Sequence, residues 1–245
     1  SSWRLVPELG GPIFCLVLNG KGRLYAIQAD EGLFRREEDG SWTCLRKEPR
    51  ALVVGVSATG QSIFLGTAGN GLWVSHDGGR DWFQVLDWRE EYISDLLIDQ
   101  ETNRWAYAST SKRLYRSEDF GNTWQPVPEL DERAYAFALA PDGTLYVGLR
   151  GRVARSEDGG QTWAFSGEGL PPKVSTLDLV AAGQPRGDYV LYAAATDGVY
   201  RSTDKGRTWQ RHRKGLGGVE VEVPAWDGEG GMIAATPSGL YRRLP

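Results

Sequence analysis

An all-β ring of six four-stranded repeats is the fold this 245-residue sequence predicts, and three observations predict it. Tryptophans recur at a near-constant interval, at Trp3, Trp42, Trp82, Trp124, Trp163 and Trp209, with gaps of 39, 40, 42, 39 and 46 residues. Joining the two ends gives a sixth gap of 39 residues. Each interval holds short strand-like runs separated by turn signals, with no sustained helical periodicity. A period of about 40 residues that closes on itself is the signature of blades stacked around an axis, a six-bladed β-propeller. One domain spanning 1–245 follows.

The elements follow the same plan in each repeat. In the first, the strand-like runs are Ile13–Leu18, Arg23–Gln28, Gly32–Arg36 and Trp42–Leu45. The fourth repeats them with Ala134–Leu139, Thr144–Gly148, Arg152–Arg155 and Thr162–Phe165. Asn19-Gly20, Asp30-Glu-Gly32, Pro141-Asp-Gly143 and Asp158-Gly-Gly160 supply the turns between them. The last repeat offers Val221–Val223, Gly231–Ala235 and Gly239–Arg243, and then stops one strand short. Trp3-Arg4-Leu5-Val6 has the form of that missing strand. The sequence therefore predicts that the N-terminal strand completes the last blade and closes the ring, leaving no unpaired edge.

The turn ahead of each tryptophan has its own pattern. It reads Ser75-His-Asp77-Gly-Gly79-Arg-Asp-Trp82, Ser117-Glu-Asp119-Phe-Gly121-Asn-Thr-Trp124, Ser156-Glu-Asp158-Gly-Gly160-Gln-Thr-Trp163 and Ser202-Thr-Asp204-Lys-Gly206-Arg-Thr-Trp209. Glu38-Asp39-Gly40-Ser41-Trp42 is a shorter fifth copy. The Asp can accept N–H bonds from residues just ahead. The Gly allows a positive φ, and the Trp brings a large apolar surface to the sheet. A structural turn and anchor, rather than a ligand platform, is the role these residues predict.

The shared Ser-x-Asp-x-Gly-x-Thr-Trp pattern resembles the Asp-box, or bacterial neuraminidase repeat, of sialidases and many other β-propellers. Through its periodicity the resemblance covers the whole chain. It implies that ligand or catalytic sites lie on the face opposite the Asp-box turns, around the channel. Residues expected there are Asp30, Glu31, Arg50, Trp88, Arg89, Glu90, Glu91, Tyr92, Arg133, Tyr135, Arg150, Lys173, Asp197 and Glu220. The run Trp88-Arg-Glu-Glu-Tyr92 joins aromatics, a cation and two carboxylates, a set suited to a carbohydrate or a peptide; the plainer reading is a solvated connection with a packed Trp. Asp95 and Asp178 interrupt apolar inner strands, where a carboxylate needs a partner or a shifted pKa. Hydrogen bonding to a neighbouring blade's backbone is the expected answer. Glu90, Glu91 and Asp95 are the candidates for catalysis, although adjacent Glu90 and Glu91 point to opposite faces of a strand.

Composition narrows the class. A net charge of −4 and a pI near 5.4 give no general drive toward nucleic acid. No apolar run is long enough to span a bilayer. The sequence begins at Ser1 without a Met, so a leader or another domain can precede it, and the compartment stays open. Two histidines and two cysteines without ligand spacing predict neither metal nor cofactor. Cys15 and Cys44 fall in the inner and outer strands of one blade, so buried free thiols are expected rather than a disulfide. His76 is expected to be exposed.

Resemblance to sialidases would imply an arginine triad, a Tyr nucleophile with its Glu, and an Arg-Ile-Pro-type motif near the start. The chain has Val6-Pro7 and Gly11-Pro-Ile13 without such an arginine. The expectation is therefore a non-catalytic scaffold presenting a rigid disc to a protein, or else a glycan, partner. Asp-box propellers that serve as photosystem II assembly factors are similar in the repeat. The alternatives are a glycoside hydrolase of sialidase-like or other Asp-box type, and a glycan-binding module.

Overall fold

A computed structural model describes residues 8–86, 92–99, 104–183 and 188–212, together with three strands between 223 and 243. The chain divides into two compact units, Ser1–Val127 and Pro128–Pro245. The first unit holds three antiparallel four-stranded sheets. They are β1–β4 (Ile13–Leu18, Leu24–Gln28, Gly32–Arg36, Trp42–Lys47), β5–β8 (Ala51–Val56, Ile63–Thr67, Leu72–Ser75, Phe83–Leu86) and β9–β12 (Ile93–Ile98, Ala106–Thr110, Leu114–Ser117, Gln125–Pro126). The second unit holds β13–β16 (Ala136–Leu139, Leu145–Gly148, Val153–Ser156, Ala164–Ser166) and β17–β20 (Thr176–Gly183, Tyr189–Ala195, Gly198–Ser202, Gln210–Arg211). It also holds the three-stranded β21–β23 (Val223–Trp226, Met232–Thr236, Gly239–Arg243). The proposed closing strand at Trp3–Val6 lies outside the described residues.

Strands join in simple up-and-down order within every sheet, because short turns link neighbours. First strands lie side by side: β5 sits beside β1 and β9, and β17 beside β13 and β21. Apolar side chains fill the space between successive sheets. Tyr25, Ile27 and Leu33 meet Val54, Val56, Ile63 and Leu65. Phe64, Leu72 and Val74 meet Ile93, Ala106, Ala108 and Trp124. In the second unit Ala136, Tyr146 and Val153 meet Leu179, Leu191, Tyr200 and Trp209. Burial on both faces explains why middle strands such as Ile63–Thr67 read as continuous apolar runs.

The four full turns share one geometry. The buried Ser hydroxyl donates to the Asp carboxylate at 2.7–2.9 Å and accepts the Gly N–H at 2.7–2.9 Å. The same Asp takes the N–H four residues on, at 3.0, 2.8, 2.9 and 2.9 Å. In three copies it also takes the Thr hydroxyl there, at 2.6–2.7 Å. The Gly has a positive φ, as at Gly121 (+93°), and a second constraint besides: a Cβ there would lie 2.2 Å from Phe64 of the preceding sheet. Each turn therefore closes on itself, and the Gly121 turn also packs against the preceding sheet. The tryptophans are anchors: Trp124 and Trp209 are buried, and the Trp82 and Trp124 indole N–H groups donate to the carbonyls of Gly79 and Gly121.

A feature the sequence did not announce recurs at the start of the first strands. Phe14, Leu52, Ser94 and Leu177 are each an extra residue at a shift in register, a β-bulge. The residues that follow, Cys15, Val53, Asp95 and Asp178, occupy one equivalent position. Both thiols are free, but burial does not follow the expectation: Cys44 is exposed on outer strand β4, and Cys15 is half-buried. An outer strand has only one covered face, which is why Cys44 remains accessible. His76 is exposed, as expected, with Nδ1 3.1 Å from the Ser62 hydroxyl.

Candidate functional site

Every four-stranded sheet has two edges. The first-to-second and third-to-fourth turns share one, the turn edge. The second-to-third turns and the links between sheets share the other, the link edge. The sequence placed its candidate site on the link edge.

Along that edge, backbone hydrogen bonds extend the strand pairs of each sheet past their ends, and isolated bridges join one sheet to the next. Ala29 donates to Pro12 O (2.8 Å), Glu48 to Glu31 O (3.2 Å), Ala68 to Arg50 O (2.8 Å) and Ser111 to Tyr92 O (3.0 Å). Ala68 also forms an isolated bridge with Tyr92. Arg50 and Tyr92 are thus held on either side of one residue, and both side chains are exposed. Asp30 is exposed in the β2–β3 turn at φ +62°. In the second unit Gly151 donates to Val174 O (2.7 Å), Thr196 donates to Ser175 O (3.2 Å), and Arg150 bridges Ser175. Arg150 is exposed; Arg133 stacks over Tyr135 at 4.8 Å. Trp88, Arg89, Glu90, Glu91 and Glu220 lie outside the described residues.

The inner-strand carboxylates each take a backbone N–H one residue on in their own strand. Asp178 Oδ1 accepts the N–H of Leu179, its own neighbour, at 2.8 Å, and Asp95 does the same with Leu96 at 2.8 Å. The bulge explains this, since it turns the next N–H back toward the carboxylate. Burial raises the Asp178 pKa to about 6, with the Leu179 N–H opposing it. Burial also raises the Cys15 thiol, opposed by a hydrogen bond from the Val54 backbone and reinforced by the charge of Asp95.

Sequence reasoning missed one link-edge cluster. Glu48 is buried at 7% exposure, accepts from the Asn70 amide at 2.9 Å and lies 3.9 Å from the Arg46 guanidinium. That guanidinium covers the Trp73 ring at 3.7 Å. In the linear run Arg46-Lys-Glu-Pro-Arg50 the glutamate reads as one more solvated charge, and only packing distinguishes it. Among the described residues no group of His, Cys, Asp and Glu is placed to hold a metal ion, and no helix is long and apolar enough to cross a membrane.

Consecutive antiparallel sheets, first strands abreast and edges carrying loops define a β-propeller. The chain belongs to the DUF6242 beta propeller domain family, whose model matches residues 101–227. Among curated proteins it is similar to the xyloglucanase Xgh74A of Acetivibrio thermocellus, at 28% identity over 196 residues, covering 60% of this chain and 23% of that protein. The chain thus spans about a quarter of that relative's length. Among solved structures it is similar to an ancestral GH74 enzyme, with TM-score 0.74, 21% identity and coverage of 98% of this chain and 37% of that one. It is also similar to YCF48 from Cyanidioschyzon merolae, with TM-score 0.62, 16% identity and coverage of 89% and 78%. These structural likenesses concern the fold.

Proposed function

We propose that the chain is a six-bladed Asp-box propeller that acts as a non-catalytic binding scaffold and engages a protein partner through its link edge. Six tryptophans at near-equal spacing and six sheets in chain order support the blade count. The Ser-Asp-Gly hydrogen bonds repeated in four turns support the Asp-box reading. The observation that carries the function is the link edge itself. Its backbone groups are spent on hydrogen bonds within sheets and on bridges from one sheet to the next, while Asp30, Arg50, Tyr92 and Arg150 stand exposed on that rigid base. Exposed Arg and Tyr on a preorganised backbone are the side chains that dominate protein recognition.

The test is capture of partners from lysate and secreted fractions of the source cells, with an Arg50→Ala/Tyr92→Ala chain as control bait. One partner captured by the native chain and lost by the variant, at unchanged melting temperature, supports the scaffold. Equal capture by both baits removes the link edge from the reading. Hydrolysis of xyloglucan by the purified chain would replace the scaffold with the glycosidase alternative, the activity named for Xgh74A.

A further inference from the structure

The turn edge of the first unit carries a trough that lies apart from the link-edge site. It runs over the first two sheets as two cavities of about 660 and 470 Å³ that share Arg23, Thr59 and Gln61 in their walls. Each volume lies in the range of small-ligand sites.

The lining of this trough is rich in charge. Lys21, Arg23, Arg35, Arg36 and Arg80 line it, against Glu37, Glu38 and Asp77. Five cations thus face three carboxylates in a chain whose net charge is −4. The carboxylates are already engaged. Glu37 takes Arg35 through one oxygen, at 2.9 Å from Nε and 2.8 Å from Nη2. Glu38 lies 3.2 Å from Arg23. Asp77 holds the Ser75 hydroxyl and the N–H groups of Arg80 and Asp81. These pairs also occupy Arg35 and Arg23, so the surplus of positive charge that an incoming anion meets rests on Lys21, Arg36 and Arg80.

The walls are also preorganised. Arg35 Nη1 donates across the sheets to Gly78 O at 3.1 Å, and Gly78 N donates to Gln61 O at 2.8 Å. Both sides are thereby fixed before a ligand arrives, which lowers the ordering cost of binding. Thr43, Thr59 and Gln61 add hydroxyl and amide groups. Leu18, 60% exposed at one end, offers an apolar surface.

We infer that this trough is a binding site for an acidic oligosaccharide, a sugar chain bearing carboxylates. Guanidiniums pair with carboxylates in a planar, two-bonded fashion, the short polar side chains suit sugar hydroxyls, and the exposed Leu18 suits the apolar face of a ring. An acidic peptide is the lesser fit, because the trough has no enclosed apolar pocket to anchor a side chain.

Isothermal titration of the whole chain with hexagalacturonate tests the inference, with cellohexaose and hexaglutamate as comparison probes at 25 and 150 mM salt. The expected result is saturable binding of hexagalacturonate that weakens with salt and falls at least 10-fold in Arg23→Ala/Arg80→Ala, with no comparable binding of the other two. Should the double variant melt early, Arg80→Ala alone supplies the readout, since the Arg80 contact within the turn is made by its backbone. Absence of saturation up to millimolar hexagalacturonate overturns the inference. So does equal binding of either comparison probe, or binding indifferent to the arginines. Because the link-edge variant Arg50→Ala/Tyr92→Ala leaves this trough intact, failure here and failure of the scaffold reading register separately.

Discussion

Replacing Asp178 by Asn should stabilise the chain at neutral pH and leave it nearly unchanged in mild acid. The carboxylate is half-buried behind the bulge of β17, and its pKa stands at about 6 against an ordinary 3.8. The sign follows from which state holds the proton. Below the ordinary value Asp178 is neutral folded and unfolded, and costs nothing. As pH rises, the unfolded chain ionises first, so folding loses free energy until the folded carboxylate also ionises near pH 6. At about 1.4 kcal/mol per pKa unit, the full penalty above pH 7 is on the order of 3 kcal/mol. Asn keeps an oxygen to accept the Leu179 N–H, now at 2.8 Å, and carries no charge. The variant's advantage should grow from about 0.5 kcal/mol at pH 4 to about 3 kcal/mol at pH 8. Urea denaturation across that range measures it. A pH-independent difference, or a variant less stable than native at pH 8, would refute the claim that burial alone raises this pKa.

Gly121→Ala should cost about 2–5 kcal/mol by combining a left-handed φ with a collision against Phe64, read as an earlier urea midpoint. Ser156→Ala strands the buried Gly160 N–H and should cost about 1–3 kcal/mol, while Asp119→Ala should lower the melting temperature by opening its turn; a thermally neutral result for either would contradict the turn's hydrogen bonding. Acid should act through the turn carboxylates in the opposite sense to Asp178. Burial opposes ionisation of Asp204, but the Thr208 and Ser202 bonds outweigh it and hold the pKa at about 2, so its contribution is present above the ordinary carboxylate pKa and fades as pH falls toward 2. Cys44 should react with a thiol reagent before Cys15, with mass spectrometry assigning the order.

Much of the fold could be read in the linear chain. Strand runs such as Ile13–Leu18, Gly32–Arg36 and Gly239–Arg243 coincide with β1, β3 and β23, and other boundaries differ by a few residues. Local chemistry carries this success, since the turn Asp and Ser bond within a few positions of themselves. The site was less legible. Arg50 and Tyr92 were chosen as link-edge residues, and Ala68 does bring them together. Their relation depends on a third residue from another strand, which no spacing encodes. The trough lined by Arg23, Arg35 and Arg80 was passed over because its cations lie far apart in sequence and on the edge opposite the expected site.

By itself the sequence determined the blade period, the order of strands and the chemistry of each turn, because these depend on contacts between residues a few positions apart. Tertiary structure alone decided the bulges that place Asp95 and Asp178, the burial of Glu48 beside Asn70, and the gathering of arginines over the first two sheets. Those features arise from strand register within sheets and packing between them, where residues distant in sequence share one environment.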